Sequence, residues 1–201
     1  MRRYLVFAII TLGVVVLDQW TKYLVVQNLT AHFDGQGGAA ERWRSLYADP
    51  APPPGNGYHF APRGEVEIAQ NFLRLRYAEN PGAAWGLFHD LPARARGLLF
   101  HVVSLGAVAV ISVYFTRLSG RPAERWAMVG LPLVLGGAIG NYVDRLSRSF
   151  VIDFIEAHWF DRAHWPSFNL ADMAITAGVL CLMVDALVRR ERKSAPIAAR
   201  S

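Results

Sequence analysis

Four stretches of the 201-residue chain are apolar over the roughly 20 residues a helix needs to cross a bilayer. The first is uncharged from Tyr4 to Leu17 and continues through Asp18 and Lys22 toward Asn28. The second is uncharged from Gly97 to Thr116, and the third runs from Trp126 to Val143. The fourth, from about Phe168 to Val188, is interrupted by Asp172 and Asp185. Between the first two the pattern changes. Residues 31–64 are rich in Gly, Pro and polar side chains, with a Pro-Pro-Pro-Gly-Asn-Gly run, and read as a flexible insertion. Leu73, Leu75 and Tyr77 then alternate with Arg74 and Arg76, the period of a half-buried strand. That strand leads into Asn80-Pro81-Gly82, where proline presets one turn position and glycine tolerates positive φ at the next. Ala83, Ala84 and Gly86 leave little bulk, so another backbone can approach. A free strand edge there accepts an extended peptide as one more strand. A surface hairpin that merely closes the bundle fits the same residues.

Charge orients the spans. Arg2 and Arg3 precede the first, Arg117, Arg121 and Arg125 separate the second from the third, and Arg189, Arg190, Arg192 and Lys193 follow the fourth. Basic short loops stay in the cytoplasm, and four crossings put all three clusters there. The predicted fold class is a mainly α membrane protein, a four-transmembrane-helix bundle. It is one polytopic domain over 1–201 with spans at about 4–28, 95–116, 125–145 and 168–188. An outer region at 29–93 carries a small extracytoplasmic β-sheet. An outer loop at 146–167 supplies a short outer-face helix or loop, and 189–201 is a cytoplasmic tail. The first span also has the length of a cleaved secretory signal, but no small-residue cleavage site follows Leu17.

Composition agrees: 53% of residues are hydrophobic and 18% charged, against about a quarter charged in soluble domains. The net charge of +5 comes from basic residues gathered at the chain ends and one short loop, which points to a membrane and not to nucleic acid. Cys181 is the single cysteine. It forms no internal disulfide and reads as a small residue in the core or against lipid.

Polar residues within the spans concentrate at their outer ends, and intramembrane charges usually mark function or pairing. Asp18 and Lys22 are four apart, the spacing of an ordinary helix ion pair. Gly136, Gly137 and Gly140 form a small-residue face, from which Asn141 and Asp144 extend. Asp144 either pairs with Arg145 or ends its helix. Asn169 suits a helix cap with Asp172 in the first turn, and catalysis suits Asp172 equally. Asp153, inside Val-Ile-Asp-Phe-Ile, has no such plain reading. A carboxyl buried near a second one holds its proton to higher pH, and such a pair supplies an acid and a base near neutrality. Asp153 and Asp172 are the candidates. A carrier or docking protein could use the same polar layer, but no internal repeat supports a transporter. A three-aspartate metal hydrolase is the other alternative, without a His-containing ligand motif.

Five segments together resemble the lipoprotein signal peptidases: Leu17–Lys22, Asn80–Trp85, Gly136–Arg145, Val151–Phe154 and Phe168–Asp172. The resemblance covers most of the chain outside 31–64 and the basic tail. It implies an aspartyl endopeptidase of the bacterial cytoplasmic membrane with its site near the outer face. Its substrates would be diacylglyceryl-modified prolipoproteins, cut just before the lipidated cysteine. By the family pattern Asp153 and Asp172 are the catalytic pair. Asn80, Gly82, Asn141, Asp144, Arg145, Asn169 and Ala171 bind substrate or brace the site, and Asp18 and Lys22 support it structurally. The resemblance implies no metal or organic cofactor. It implies contact with membrane lipids and inhibition by globomycin-type cyclic peptides. Two departures stand out: Trp85 where the family more often has phenylalanine, and the length of the 31–64 insertion.

Overall fold

The structure is a computed structural model and describes residues 1–48, 57–82 and 91–194. Ala83, Ala84, Trp85 and Gly86 lie outside the described residues. Four helices are long and apolar enough to cross a membrane: α1 (Arg2–Leu29), α3 (Ala93–Arg117), α4 (Arg125–Arg148) and α5 (Leu170–Ser194). Their ends lie close to the expected spans, except that α5 continues past Val188 through the flanking basic residues to Ser194. Half of the apolar window of α4 is buried, against 6% for α3, so α4 is the centre of the bundle. Its neighbours α1, α3 and α5 turn Leu12, Val102, Val110 and Leu180 outward as exposed side chains. Exposed apolar side chains at that density suit lipid as the surrounding solvent.

The small-residue face of α4 sets how closely its neighbours approach. A Cβ added to Gly137 would collide with the Ala171 carbonyl of α5, and one added to Gly140 would lie 2.6 Å from Asp18 Oδ2 of α1. Both glycines therefore bring the backbone of α4 against polar groups of the neighbouring helices.

At the end of the bundle formed by the C-termini of α1 and α4 and the N-termini of α3 and α5 sits a four-stranded antiparallel sheet. Its order is β1 (Glu65–Ala69), β2 (Leu73–Asn80), β3 (Val151–Trp159), β4 (Ala163–His164). Strand β2 covers the alternating segment expected to be extended. Strand β3 corrects the sequence expectation of an outer loop or short helix at 146–167. It is a central strand, buried from Val151 to Phe154, so it lacks the polar alternation that marks a strand with one wet face.

Residues 31–48 and 57–64 also differ from the flexible insertion expected, and residues 49–56, with most of the Pro-Pro-Pro-Gly-Asn-Gly run, lie outside the described residues. Residues Ala39–Ala48 form helix α2, and Phe33, Leu46 and Phe60 are buried in a core with Tyr23, Val26, Tyr77 and Phe150. Trp43, Leu46 and Tyr47 recur at the three- and four-residue spacing of one helical face. Trp43 stacks on Tyr23 with ring centroids 4.6 Å apart.

Candidate active site

Asp153 and Asp172 come from different elements that the backbone ties together. The Phe168 carbonyl accepts the Phe154 and Ile155 amides of β3 at 3.0 and 2.9 Å, and the Phe168 amide returns to the Ile155 carbonyl at 3.0 Å. This fastens the chain just before α5 to β3, one residue beyond Asp153. Asn169 and Asp172 then cap α5 reciprocally. The Asp172 amide donates to Asn169 Oδ1 at 3.0 Å, and the Asn169 amide donates to Asp172 Oδ2 at 3.2 Å. The arrangement is a capping box with an acid at its third position, so the capping role and the site location of Asp172 coincide.

Asparagines span the two acids. Asn169 Nδ2 donates to Asp153 Oδ1 at 2.7 Å and to Asn141 Oδ1 at 3.0 Å. Asn141 Nδ2 donates to Asp172 Oδ1 at 2.8 Å. From β2, Asn80 Nδ2 reaches Asp153 Oδ2 at 2.9 Å. Register explains the last contact: Ala78 pairs with Asp153 and Asn80 with Val151, which makes Asn80 the diagonal same-face neighbour of Asp153. Asn80 Oδ1 also accepts the Gly82 amide at 3.1 Å, closing the turn with its side chain. Arg145 Nη2 donates to the Gly82 carbonyl at 3.2 Å, and its guanidinium lies 4.3 Å from the centre of the Phe100 ring.

Asn80, Gly82, Asn141, Arg145, Asp153 and Asp172 all line one cleft of about 990 Å³, which continues along α5 past Thr176 to Leu180. Asn169 and Ala171 are fully buried behind it. Asp153 is 2% exposed. Burial, and next the neighbouring Asp172 carboxylate, push its carboxyl up to about 7, against weaker opposing pulls from Asn80, Lys22 and Asn169. A carboxyl so placed exchanges its proton near neutral pH.

Asp18, Lys22 and Asp144 do not reach the cleft. They form a buried cluster behind it, with Lys22 Nζ at 2.8 Å from Asp18 Oδ2 and 2.9 Å from Asp144 Oδ2. Lys22 Nζ also donates to Asn141 Oδ1 at 3.3 Å, which joins the cluster to the site. Asp144 pairs with Arg148, not with its neighbour Arg145. Arg148 and Gln19 were missed from sequence, although Arg148 stands four residues after Asp144 and Gln19 lies inside the Leu17–Lys22 segment.

Comparison with known proteins completes the picture. The family model for signal peptidase (SPase) II matches residues 10–188. A lipoprotein signal peptidase from Anaeromyxobacter sp. (strain Fw109-5) is 40% identical over 188 residues, 90% of this chain and 84% of that protein. One from Syntrophus aciditrophicus (strain SB) is 34% identical over 195 residues, 96% of this chain and 100% of that protein. A solved bacterial membrane enzyme, determined by the in meso method at 2.3 Å resolution, shares the fold. Its TM-score is 0.63 at 24% identity, over 94% of this chain and 91% of that one. Matched by the family model over residues 10–188 and by relatives 40% and 34% identical over most of its length, the chain belongs to the signal peptidase II family.

Proposed function

We propose that this protein is an aspartic-type endopeptidase of the bacterial inner membrane. It removes signal peptides from diacylglyceryl-modified prolipoproteins by cutting just before the lipidated cysteine. The observation that carries this reading is the pair of carboxylates, Asp153 and Asp172, spanned by Asn141 and Asn169 at the wall of a cleft that runs down α5. In this reading Asp153, whose burial keeps it protonated to about pH 7, donates to the scissile carbonyl oxygen. Asp172 takes a proton from the attacking water. The resulting gem-diol collapses with cleavage of the C–N bond: Asp172 gives the proton it gained to the departing amine, and Asp153 recovers its own from a hydroxyl of the gem-diol as the new carboxyl group forms.

The cleft suits the substrate. Its polar end takes an extended peptide, and its apolar continuation beside Thr176 and Leu180 takes acyl chains that remain in the bilayer. Lipidation fixes the depth of the scissile bond, so orientation supplies much of the rate. The arginines at the opposite end of the bundle support a topology with both termini in the cytoplasm and the sheet and cleft at the outer face. Globomycin-type cyclic peptides compete for the same cleft. The test compares cleavage of one purified prolipoprotein with and without its diacylglyceryl group. Processing confined to the lipidated form is the expected result, and equal processing of both refutes the substrate assignment.

A further inference from the structure

Behind the cleft, the charged cluster touches the backbone at two informative places. Asp18 Oδ1 accepts the amide of Ala171 at 3.0 Å, and Asp144 Oδ2 accepts the amide of Ile152 at 3.1 Å. Each amide belongs to the residue immediately preceding one of the two site carboxylates. Lys22 and the Gln19 side chain both bridge the two holders. Gln19 Nε2 donates to Asp18 Oδ2 at 3.0 Å and to Asp144 Oδ1 at 2.9 Å. The separation of the Asp153 and Asp172 backbones is therefore set through Asp18, Asp144 and what lies between them.

Helix α2 reaches this bridge twice. The Tyr47 hydroxyl donates to Gln19 Oε1 at 2.8 Å, which fixes the amide so that its NH₂ faces the two carboxylates. Arg148, the buried partner of Asp144, donates to the Leu46 carbonyl at 3.0 Å, and its guanidinium lies 5.0 Å from the centre of the Tyr47 ring. Two carboxylates and two cations balance in charge, and all four side chains are at most 2% exposed. A balanced cluster of this kind gains most from fixed geometry, since its attraction must offset the loss of water.

We propose that helix α2 positions the active site from behind, through Tyr47–Gln19 and Leu46–Arg148, by holding the Asp18–Lys22–Asp144 bridge that spaces the Asp153 and Asp172 backbones. This rests on the peptidase reading above. In it Gln19, Tyr47 and Arg148 are positioning residues that touch no substrate.

The test uses the full-length purified enzyme, a lipidated prolipoprotein, and three variants. Tyr47→Phe removes one hydroxyl and keeps the ring. Arg148→Lys keeps the charge beside Asp144 and cannot serve Leu46 and Asp144 together. Trp43→Leu removes stacking area from the same helix and no hydrogen bond to the bridge. Displacing reacting groups by a fraction of an ångström lowers the turnover step more than binding, so Tyr47→Phe and Arg148→Lys should each lower kcat about 5- to 20-fold with KM within about twofold. Trp43→Leu should lower Tm more than Tyr47→Phe does, and keep kcat within about twofold. If kcat follows Tm across the three variants, or Tyr47→Phe turns over at the wild-type rate, α2 is only a stabilising element and the proposal fails. Failure of the wild-type enzyme to cleave the lipidated substrate would instead refute the peptidase reading.

Discussion

Four buried or partly buried aspartates lie at the sheet end of this bundle among the described residues, Asp18, Asp144, Asp153 and Asp172, and the protein treats them in two opposite ways. Asp18 and Asp144 sit between Lys22, Arg148 and the Gln19 amide. Asp153 and Asp172 are bonded to the amides of Asn80, Asn141 and Asn169, with no cation in hydrogen-bond contact among the described residues. Cations pair with the first two carboxylates, whereas asparagine amides satisfy the oxygens of the second two without cancelling their charge. The first pair is thereby committed to architecture, whereas in the second Asp153 keeps its proton to about 7 through burial and the neighbouring Asp172 carboxylate. Their difference lies in the neighbours, since all four are the same residue type in buried or partly buried surroundings.

Exchanging the members of the two pairs should break in different ways. Asp172→Asn and Asp153→Asn remove proton transfer while leaving the amide framework, and each should lower the cleavage rate about 10³-fold, measured on a lipidated prolipoprotein, without loss of the folded enzyme. Lys22→Met leaves Asp18 buried without a cation and Asp144 with Arg148 alone, and should cost about 3–5 kcal/mol of stability, read as a large fall in Tm in detergent and loss of expression. The smallest effect concerns Asp153 and pH. Because the folded protein holds that proton to about 7, its stability falls as pH rises from the ordinary carboxylate range to that value. Asp153→Asn removes the loss, and should raise Tm by about 2–6 °C at pH 8 and hardly at all at pH 5.

Legibility from sequence followed the physics of each part. The spans were readable because lipid demands long apolar runs, and β2 because one face of it is wet. Strand β3 was not, since burial on both sides erased its alternation and Asp153 interrupted its apolar run. Helix α2 was hidden by flanking Gly and Pro that dominate the composition of 31–64, although Trp43, Leu46 and Tyr47 carry the helical spacing. The sequence also set Asp18 beside Lys22 correctly, by their separation of four. For Asp144 it offered a pairing with Arg145 or a helix end and passed over Arg148 four residues on, while contacts across helices, such as Lys22 to Asp144, leave no local trace. The Asn141–Asn169 link between the acids is of the same kind, formed only when α4 and α5 pack through Gly137.

The most direct measurement is infrared titration of the purified enzyme between pH 5 and 9, following the band of protonated carboxyl groups in the wild-type protein and in Asp153→Asn. A band that disappears with a midpoint near 7 in the wild type, and is missing from the variant, is the predicted result. Full ionisation already at pH 5.5, or an identical titrating band in Asp153→Asn, would contradict the account of a buried Asp153 that keeps its proton beside Asp172.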